Sequence, residues 1–369
     1  MKTNIHHAVG LMSGTSMDGT DAVCVRFINH QFDSVIAHSY LPFDEKLRNA
    51  LLSLQNITQN ELHLSLKLSQ TLAENYAQTV RQLFRQPEMV GIPVEVVGCH
   101  GQTIRHNPDD GYSIQLCDWA LLAERLQLPV VGDFRAADIA AGGQGAPLVP
   151  AFHQMAFGED GSTAVVANIG GIANITVLTA DGRVFGFDTG PGNMLMDAWC
   201  QKHFQQTFDN NAKIAKTGKT IHPLLSKWLN TEPYFHRKPP KSTGRDLFSM
   251  AWVEKNLTGD ENPADILRTL TELTARSLAN AVLKYAPDCE DLILCGGGSF
   301  NPLIRQRLSA LLPNASVTDT SAFGLPPMQV EGAAFAWLAH ARLHKIPANL
   351  PQATGAVGER ILGALWECV

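Results

Sequence analysis

Short apolar runs separated by polar turns at the start of the chain are typical of a β-hairpin. Residues 8–12 and 22–25 are apolar, and the polar, glycine-rich segment 13–21 lies between them. Apolar runs of this length bounded by glycine and aspartate predict strands joined by a turn. Residues 34–40 predict a third strand. The chain therefore opens with an antiparallel meander.

Apolar residues spaced three and four apart predict helices further along the chain. In residues 61–85 the leucines at 62–68 alternate as in a strand, but the composition favours a helix. Apolar residues then continue at helical spacing to Leu83, which predicts one long helix. The other predicted helices cover 44–55, 119–126, 149–157, 194–205, 265–285, 301–312 and 330–344. The other predicted strands cover 94–98, 112–116, 130–133, 164–169, 172–178, 183–187, 292–295, 316–320 and 361–366.

The meander predicted for residues 164–187 repeats the architecture of the opening meander, although not its sequence. Strands that alternate with helices after a meander indicate a mixed sheet in an α/β fold. We therefore predict two α/β domains that face each other across a cleft. The first covers 1–145 plus 346–369, the second covers 146–345, and the glycine-rich segment 141–145 links them.

Composition narrows the class of protein. The 369 residues are 45% hydrophobic and 17% charged, which is ordinary for a globular protein with room for two cores. The net charge of −6 argues against nucleic acid as a partner. Seven scattered cysteines without a Cys-x-x-Cys pair are typical of reduced thiols in the cytoplasm. We see no signal-peptide pattern and expect no membrane partner.

Glycine-rich turns follow three predicted strands, at residues 10–19, at Gly170 and Gly171, and at 296–298. Glycine lets backbone N–H groups approach an anion, and hydroxyl groups add donors, so such turns suit phosphate. Read singly, each also fits an ordinary turn, and 296–298 fits a plain helix-start loop. The first is not the Gly-x-x-x-x-Gly-Lys-Ser/Thr loop, because it lacks the lysine and leads into a strand.

Asp188 lies directly after a predicted strand and before a Gly-Pro-Gly turn, so its carboxylate is expected to project from a strand end. It is the candidate general base. The alternative role is an N-cap for the helix that begins at Met194, but Asn193 is the better-placed cap.

Other polar residues are weaker candidates for functional residues. His100 and Gln102 follow a strand end and are candidate substrate contacts. Arg135 is a candidate carboxylate partner, or else pairs with Asp133 or Asp138. Glu331 opens a predicted helix, where an acidic residue is also favoured for the helix itself. The basic segment 236–245 is interpreted as a solvated surface, and the thirteen histidines show no His-Glu-x-x-His spacing of a catalytic zinc site.

Six motifs together resemble those of the anhydro-N-acetylmuramic acid kinase family, in the superfamily of actin, sugar kinases and chaperone ATPases. The motifs are Met-Ser-Gly-Thr-Ser-Met-Asp-Gly-Thr-Asp (12–21), Cys-His-Gly-Gln-Thr (99–103), Gly-Asp-Phe-Arg-Ala-Ala-Asp (132–138), Asn-Ile-Gly-Gly-Ile-Ala-Asn (168–174), Phe-Asp-Thr-Gly-Pro-Gly-Asn (187–193) and Gly-Gly-Gly-Ser-Phe-Asn (296–301). The resemblance covers nearly the whole chain. Ser13 stands where many members of the superfamily have an aspartate near the metal.

The resemblance implies two actin-like (ribonuclease H-like) domains, ATP and Mg²⁺ as cofactors, and an amino sugar as substrate. It implies that Asp188 activates water, with metal binding at Asp18 and substrate contacts at His100, Gln102, Arg135 and Glu331. The implied ATP contacts are Met12, Ser13, Gly14, Thr15, Ser16, Met17, Asp18, Gly19, Gly170, Gly171, Gly296, Gly297 and Gly298. A conventional hexosamine kinase, a phosphatase or ATPase, and a non-catalytic sugar or nucleotide sensor are the alternatives. The sequence does not decide whether the chain forms a homodimer.

Overall fold

A computed structural model describes residues 3–14, 16–55, 57 and 59–368. The chain divides into two compact units. Unit 1 comprises Met1–Ala156 and Phe323–Val369, and unit 2 comprises Phe157–Ala322. Within the described residues, no helix is both long and apolar enough to cross a membrane.

Strands and helices follow one another in the order expected of an α/β protein. The strands are β1 (Ile5–Met12), β2 (Gly19–Ile28), β3 (Gln31–Pro42), β4 (Val96–Cys99), β5 (Gln102–Asn107), β6 (Tyr112–Leu116), β7 (Val130–Gly132), β8 (Ala164–Ile169), β9 (Ile172–Leu178), β10 (Val184–Pro191), β11 (Asp291–Cys295), β12 (Ser316–Asp319) and β13 (Ala364–Trp366). The helices are α1 (Glu45–Ser53), α2 (Glu61–Phe84), α3 (Trp119–Leu126), α4 (Ala136–Ala140), α5 (Val149–Phe157), α6 (Met194–Phe204), α7 (His222–Thr231), α8 (Met250–Glu254), α9 (Pro263–Tyr285), α10 (Pro302–Leu311), α11 (Val330–Leu343) and α12 (Pro351–Thr354).

The central sheet of unit 1 has the order β13-β7-β4-β1-β2-β3. Strands β1, β2 and β3 form the predicted antiparallel meander, and β4 and β7 add in parallel. The tail strand β13 pairs antiparallel with β7, which confirms that the C-terminal segment returns to this sheet. The helix α2 is continuous, as predicted, and buries Leu68, Leu72 and Tyr76 against the sheet while Leu62 stays exposed.

The other face of this sheet meets α11 at very short range, because glycines line the contact. A Cβ atom built on Gly10 would lie 1.8 Å from the backbone oxygen of Gly332, and one on Gly98 would lie 2.1 Å from that of Phe335. A side chain at either position would push the helix away from the sheet, since packed interiors have no space to absorb it. The position of α11 therefore depends on these glycines.

The sheet of unit 2 has the order β10-β9-β8-β11-β12, with an antiparallel meander β8-β9-β10 followed by parallel strands. Five strands of unit 1 have the same order and directions, so the topology is repeated. This confirms the predicted α/β fold with two actin-like sheets. Helix α9 packs on β9 and β10 and supplies Leu270, Leu273 and Leu278 to the core of the unit.

Several elements lack a clear signal in the sequence. Strand β5 pairs with β6 in a separate two-stranded sheet and was not among the predicted strands. Helices α4, α7, α8 and α12 were not among the predicted helices. The units also divide at Ala156 and Ala322 rather than at the predicted 145 and 345, because α11 packs on β1 and β4.

Replacing Gly98 with alanine is expected to destabilise unit 1 by about 1–3 kcal/mol, the usual cost of overpacking a core. The measurement is urea unfolding followed by circular dichroism. The matched control is Gly358→Ala, where the added methyl group would lie 3.4 Å from the flexible end of Arg360. Equal midpoints for the two variants would contradict the close contact.

Candidate active site

The side chains of Tyr76 and Gln102 hold the hairpin loop between β1 and β2 by hydrogen bonds. Ser13 is buried, and its Oγ lies 2.8 Å from the hydroxyl oxygen of Tyr76 on α2. The Nε2 atom of Gln102 donates to the backbone oxygen of Gly14 at 3.2 Å. These contacts fix the first half of the loop. Thr15, a predicted ATP contact, lies outside the described residues.

The second half of the loop turns sharply at Met17, whose φ of 52° is in the left-handed region. Its backbone N–H donates to Gly14 O at 3.1 Å, and its side chain is buried in the core of unit 1. Met17 therefore anchors the loop, and its side chain is not available to a ligand. Ser16 Oγ donates to Asp18 Oδ1 at 2.7 Å, and the Tyr40 hydroxyl donates to the backbone oxygen of Asp18.

The carboxylates of Asp18, Asp21 and Glu331 lie in unit 1, and the charges of the first two affect the pKa values of neighbouring groups. Burial raises the pKa of Tyr40, and the charges of Asp18 and Asp21 raise it further. Burial also raises the pKa of Glu331, and Asp21 adds to that shift. Asp21 is oriented by His38, whose Nε2 lies 2.7 Å from its Oδ1. Carboxylate oxygens together with phosphate oxygens are the ligands that Mg²⁺ prefers, so this donor set fits the ion.

Arg135 connects the two other predicted substrate residues of unit 1. It donates to His100 Nε2 at 2.9 Å and to the backbone oxygen of Gly145 at 2.7 Å. Burial lowers the pKa of Arg135 to about 10, and the charge of Glu331 opposes that shift. Burial and the neighbouring guanidinium lower the pKa of His100 well below its usual value, so the ring is a neutral acceptor.

Asp138, one of the two carboxylates offered as partners for Arg135, has another role. Asp138 is fully buried and accepts hydrogen bonds from Asn349, Thr354 and the backbone N–H of Gly145. It therefore ties the C-terminal segment to the loop that follows α4. Arg135 uses two of its five N–H donors on Gly145 and His100, which leaves three for a ligand.

Glycine turns of unit 2 pack against one another at one end of the sheet. The backbone N–H of Gly192 donates to Gly171 O at 2.9 Å, and that of Asn193 donates to Gly170 O at 2.7 Å. A Cβ atom on Gly298 would lie 2.2 Å from Ile169 Cγ2. The turns predicted to bind ATP are thus in mutual contact, with Gly296 at a φ of 74° at the start of the last one.

Asn193 precedes α6, but its side chain does not cap the helix. Its Nδ2 atom instead donates to the backbone oxygen of Ile169 at 3.0 Å, and the helix start has no side-chain hydrogen bond. The predicted cap is wrong, because a tertiary contact with the end of β8 takes the amide.

Asp188 lies inside β10, next to a β-bulge, and not after the end of a strand as predicted. The bulge between Asp188 and Gly190 shifts the register of the pairing with β9 directly after Asp188. Asp188 Oδ2 accepts from the backbone N–H of Thr243 at 2.9 Å, and its backbone oxygen accepts from the Tyr234 hydroxyl at 2.7 Å. Burial raises the pKa of Asp188, while the Thr243 bond and the charge of Lys241 lower it.

Lys241 is a site residue that the sequence did not reveal. Its Nζ atom lies 4.6 Å from the centre of the Tyr234 ring and 5.7 Å from that of Phe187, and the side chain is half-buried. Interpreting 236–245 as a solvated surface is therefore wrong for Lys241, although Arg237 and Lys238 are exposed. The chain folds back here because the backbone N–H of Asp188 donates to Lys241 O.

A family model described as anhydro-N-acetylmuramic acid kinase matches residues 6–368. The chain belongs to the anhydro-N-acetylmuramic acid kinase family. An anhydro-N-acetylmuramic acid kinase of Nitrosomonas europaea is 50% identical over 360 residues, 97% of this chain and 99% of that protein. One of Neisseria meningitidis serogroup C (strain 053442) is 48% identical over 365 residues, 99% of each chain.

Solved structures with a similar fold share little sequence with this member of the anhydro-N-acetylmuramic acid kinase family. The activator of 2-hydroxyisocaproyl-CoA dehydratase from Clostridium difficile, with bound ADPNP, has a TM-score of 0.46 at 11% identity, covering 92% of this chain and 96% of its own. The ROK hexokinase from Thermus thermophilus has a TM-score of 0.42 at 12% identity, covering 92% and 99%.

The family match includes every predicted site residue of both units. In unit 1 the structure joins Gln102 to the hairpin loop, and it joins His100 to Arg135 with Glu331 nearby. In unit 2 it groups the glycine turns. The residues that sequence reasoning missed are Tyr76, His38, Tyr234, Lys241 and Thr243. They lie 17 to 63 positions from the residues they hold, and no local pattern marks them.

Proposed function

We propose that this chain is an ATP-dependent kinase of anhydro-N-acetylmuramic acid. It hydrolyses the 1,6-anhydro ring and phosphorylates oxygen 6, which gives N-acetylmuramic acid 6-phosphate in the recycling of cell-wall peptidoglycan. The observation that carries this proposal is the family match over residues 6–368, with Asp188 held in the polar setting that a base requires. The reaction is a phosphoryl transfer to an alcohol group.

Asp188 acts as the general base for water in this proposal. Oxygen 6 of a 1,6-anhydro sugar is bridged to carbon 1 and carries no proton, so the proton must come from water. Asp188 takes that proton, the water oxygen bonds to carbon 1, and the bond from carbon 1 to oxygen 6 breaks. Oxygen 6 then bonds to the γ-phosphorus of ATP, and ADP leaves.

The surroundings of Asp188 suit this role. Oδ2 is fixed by the Thr243 backbone N–H, so Oδ1 is the oxygen that accepts the proton. Burial raises the pKa of the carboxyl group and makes it a stronger base, which improves proton transfer. The Thr243 hydrogen bond and the charge of Lys241 limit this rise in the pKa of Asp188.

ATP contacts are assigned to the hairpin loop of unit 1 and to the glycine turns of unit 2. Ser16, Gly14 and Gly19 offer hydroxyl and backbone donors for phosphate oxygens, and the Gly170 and Gly296–Gly298 turns are proposed to offer backbone N–H groups to the nucleotide. Mg²⁺ would offset the phosphate charge, with Asp18 as its carboxylate ligand and Asp21 beside it. Thr15 is proposed to join the phosphate donors.

Arg135, His100, Gln102 and Glu331 are proposed to contact the sugar. Arg135 keeps a positive charge and has unused donors, which fits the lactyl carboxylate of a muramic acid. Gln102 is fully buried and its Oε1 has no hydrogen-bond partner among the described residues, so it can accept from a sugar hydroxyl. We assign the protein to the cytoplasm, in agreement with its free cysteines.

Asp188→Asn is expected to lower kcat about 10²–10⁴-fold, because the amide cannot accept the proton from water. The dissociation constant for ATP should stay near the wild-type value. Kinase activity on the anhydro sugar and calorimetric ATP binding are the measurements. Asp260→Asn, at an exposed carboxylate of the same unit, is the matched control. Activity of the Asp188 variant within threefold of wild type would exclude Asp188 as the base.

Lys241→Met is expected to move the acidic limb of the pH profile of kcat/KM to higher pH. The positive charge of Lys241 lowers the pKa of Asp188, so removing the charge lets that pKa rise. The ionised base is then lost at a higher pH, and the rate falls most under acidic conditions. Lys238→Met, at an exposed lysine of the same segment, should leave the limb in place. A limb that stays or moves to lower pH would contradict the assignment.

Reaction in ¹⁸O-labelled water tests the proposed function directly. Water is expected to bond to carbon 1, so the label should appear at the anomeric carbon and not in the phosphate. The product must be trapped early, because anomeric exchange removes the label. Label in the phosphate would indicate ATPase or phosphatase chemistry. No label, with faster turnover of a sugar that has a free hydroxyl, would indicate a conventional hexosamine kinase. No turnover of either sugar would indicate a sensor.

A further inference from the structure

A cluster of histidines lies in unit 1, at the start of β1 and the end of α11. His6, Glu95, His340 and His344 each place one potential ligand atom within 4.8 Å of the others. His340 and His344 are four residues apart, so they share one face of the helical chain. His340 and His344 are about 14 and 20 Å from Glu331 along the helical chain, at 1.5 Å per residue. It is therefore separate from the residues assigned to substrate.

Direct contacts already hold part of the cluster together. His6 Nδ1 lies 2.9 Å from Glu95 Oε1 and 3.0 Å from Oε2. His344 Nε2 lies 3.6 Å from Glu95 Oε2, beyond a good hydrogen bond. His30, in the turn between β2 and β3, places Nδ1 3.0 Å from His340 Nε2. These contacts orient the rings without using all their nitrogen atoms.

Three ring nitrogens of the cluster are buried with no hydrogen-bond partner among the described residues. They are His6 Nε2, His340 Nδ1 and His344 Nε2. Buried polar atoms in proteins nearly always have a partner, so three such atoms in one cluster indicate an absent ligand. An anion does not fit, because Glu95 already places negative charge there.

The donor atoms of the cluster favour a cation, because imidazole nitrogens and a carboxylate lie together there. Neutral imidazole is the form that binds metal ions, and a carboxylate offsets part of the charge of a divalent ion.

We propose that His6, Glu95, His340 and His344 form a structural binding site for one Zn²⁺-class transition-metal ion. Three nitrogen ligands and one carboxylate match the donor set and the fourfold coordination that Zn²⁺ prefers. At Zn–N distances of ~2.0–2.1 Å, tetrahedral ligand atoms lie roughly 3.3 Å apart. The present separations of up to 4.8 Å close to this by small side-chain rotations.

The ion would join three segments that are distant in sequence. His6 is on β1, Glu95 immediately precedes β4, and His344 immediately follows α11. It would hold the C-terminal end of α11 beside β1 and β4. These are the two strands whose glycines, Gly10 and Gly98, contact the helix. His30 is the neighbour that fixes the ring orientation of His340, in the manner of groups that surround a metal ligand.

The test uses the full chain without a polyhistidine tag, stripped with EDTA and titrated with Zn²⁺ alone. We expect one equivalent to bind with a dissociation constant below about 1 μM, and the thermal unfolding midpoint to rise. Co²⁺ in place of Zn²⁺ should give the intense visible absorption of tetrahedral coordination. Wild-type protein that binds no Zn²⁺ in this range would overturn the proposal.

Substitution of two proposed ligands tests where the ion binds. His344→Gln and Glu95→Gln are each expected to weaken Zn²⁺ binding by at least ~100-fold and to abolish the rise in the unfolding midpoint. Both positions are partly exposed, so the variants should fold, which circular dichroism checks. His63→Gln, at an exposed histidine on α2, is the matched control. Zn²⁺ affinity unchanged in His344→Gln and Glu95→Gln would place the ion elsewhere and overturn the proposal.

Discussion

The near-contact between α11 and the sheet of unit 1 is the constraint on which the proposed substrate residues of that unit depend. Gly10, Gly98 and Gly332 let the helix backbone reach the strands, and the buried alanines of α11 complete the contact. Because the helix cannot move outward without losing this packing, its two ends are fixed as well. Glu331 at the start then lies within the field of Asp21 and Arg135, and His344 lies beside Glu95.

In unit 2, the position of the Asp188 carboxylate depends on contacts with a later segment of the chain. Asp188 is paired with Asn174 of β9, and the bulge follows it, between Asp188 and Gly190. Tyr234, Lys241 and Thr243 come back from a later segment to hold it. This returning segment determines the hydrogen bonds of Asp188 and its charge environment.

Burial shifts the pKa values of ionisable groups in both units. It raises the pKa of Asp188 and of Glu331, and it lowers the pKa of His100 and of Arg135. Each shift is limited by a neighbour of opposite charge or by a backbone hydrogen bond, and the guanidinium of Arg135 adds to the shift of His100. The result is a neutral histidine beside a cation and carboxylates of increased basicity.

The sequence by itself determined the two meanders, the long helix over 61–84, the return of the tail to the first sheet and the residue types of the candidate site. These depend on local periodicity and on glycine, hydroxyl and carboxyl groups that stand close together in the chain. Tertiary structure alone decided that α11 belongs with β1, that Asn193 bonds to Ile169 and that Asp188 lies at a bulge. It also decided that Lys241 turns inward and that His6 meets His340 and His344. Such contacts join residues up to 338 positions apart, and packing and burial, which no local pattern encodes, select them.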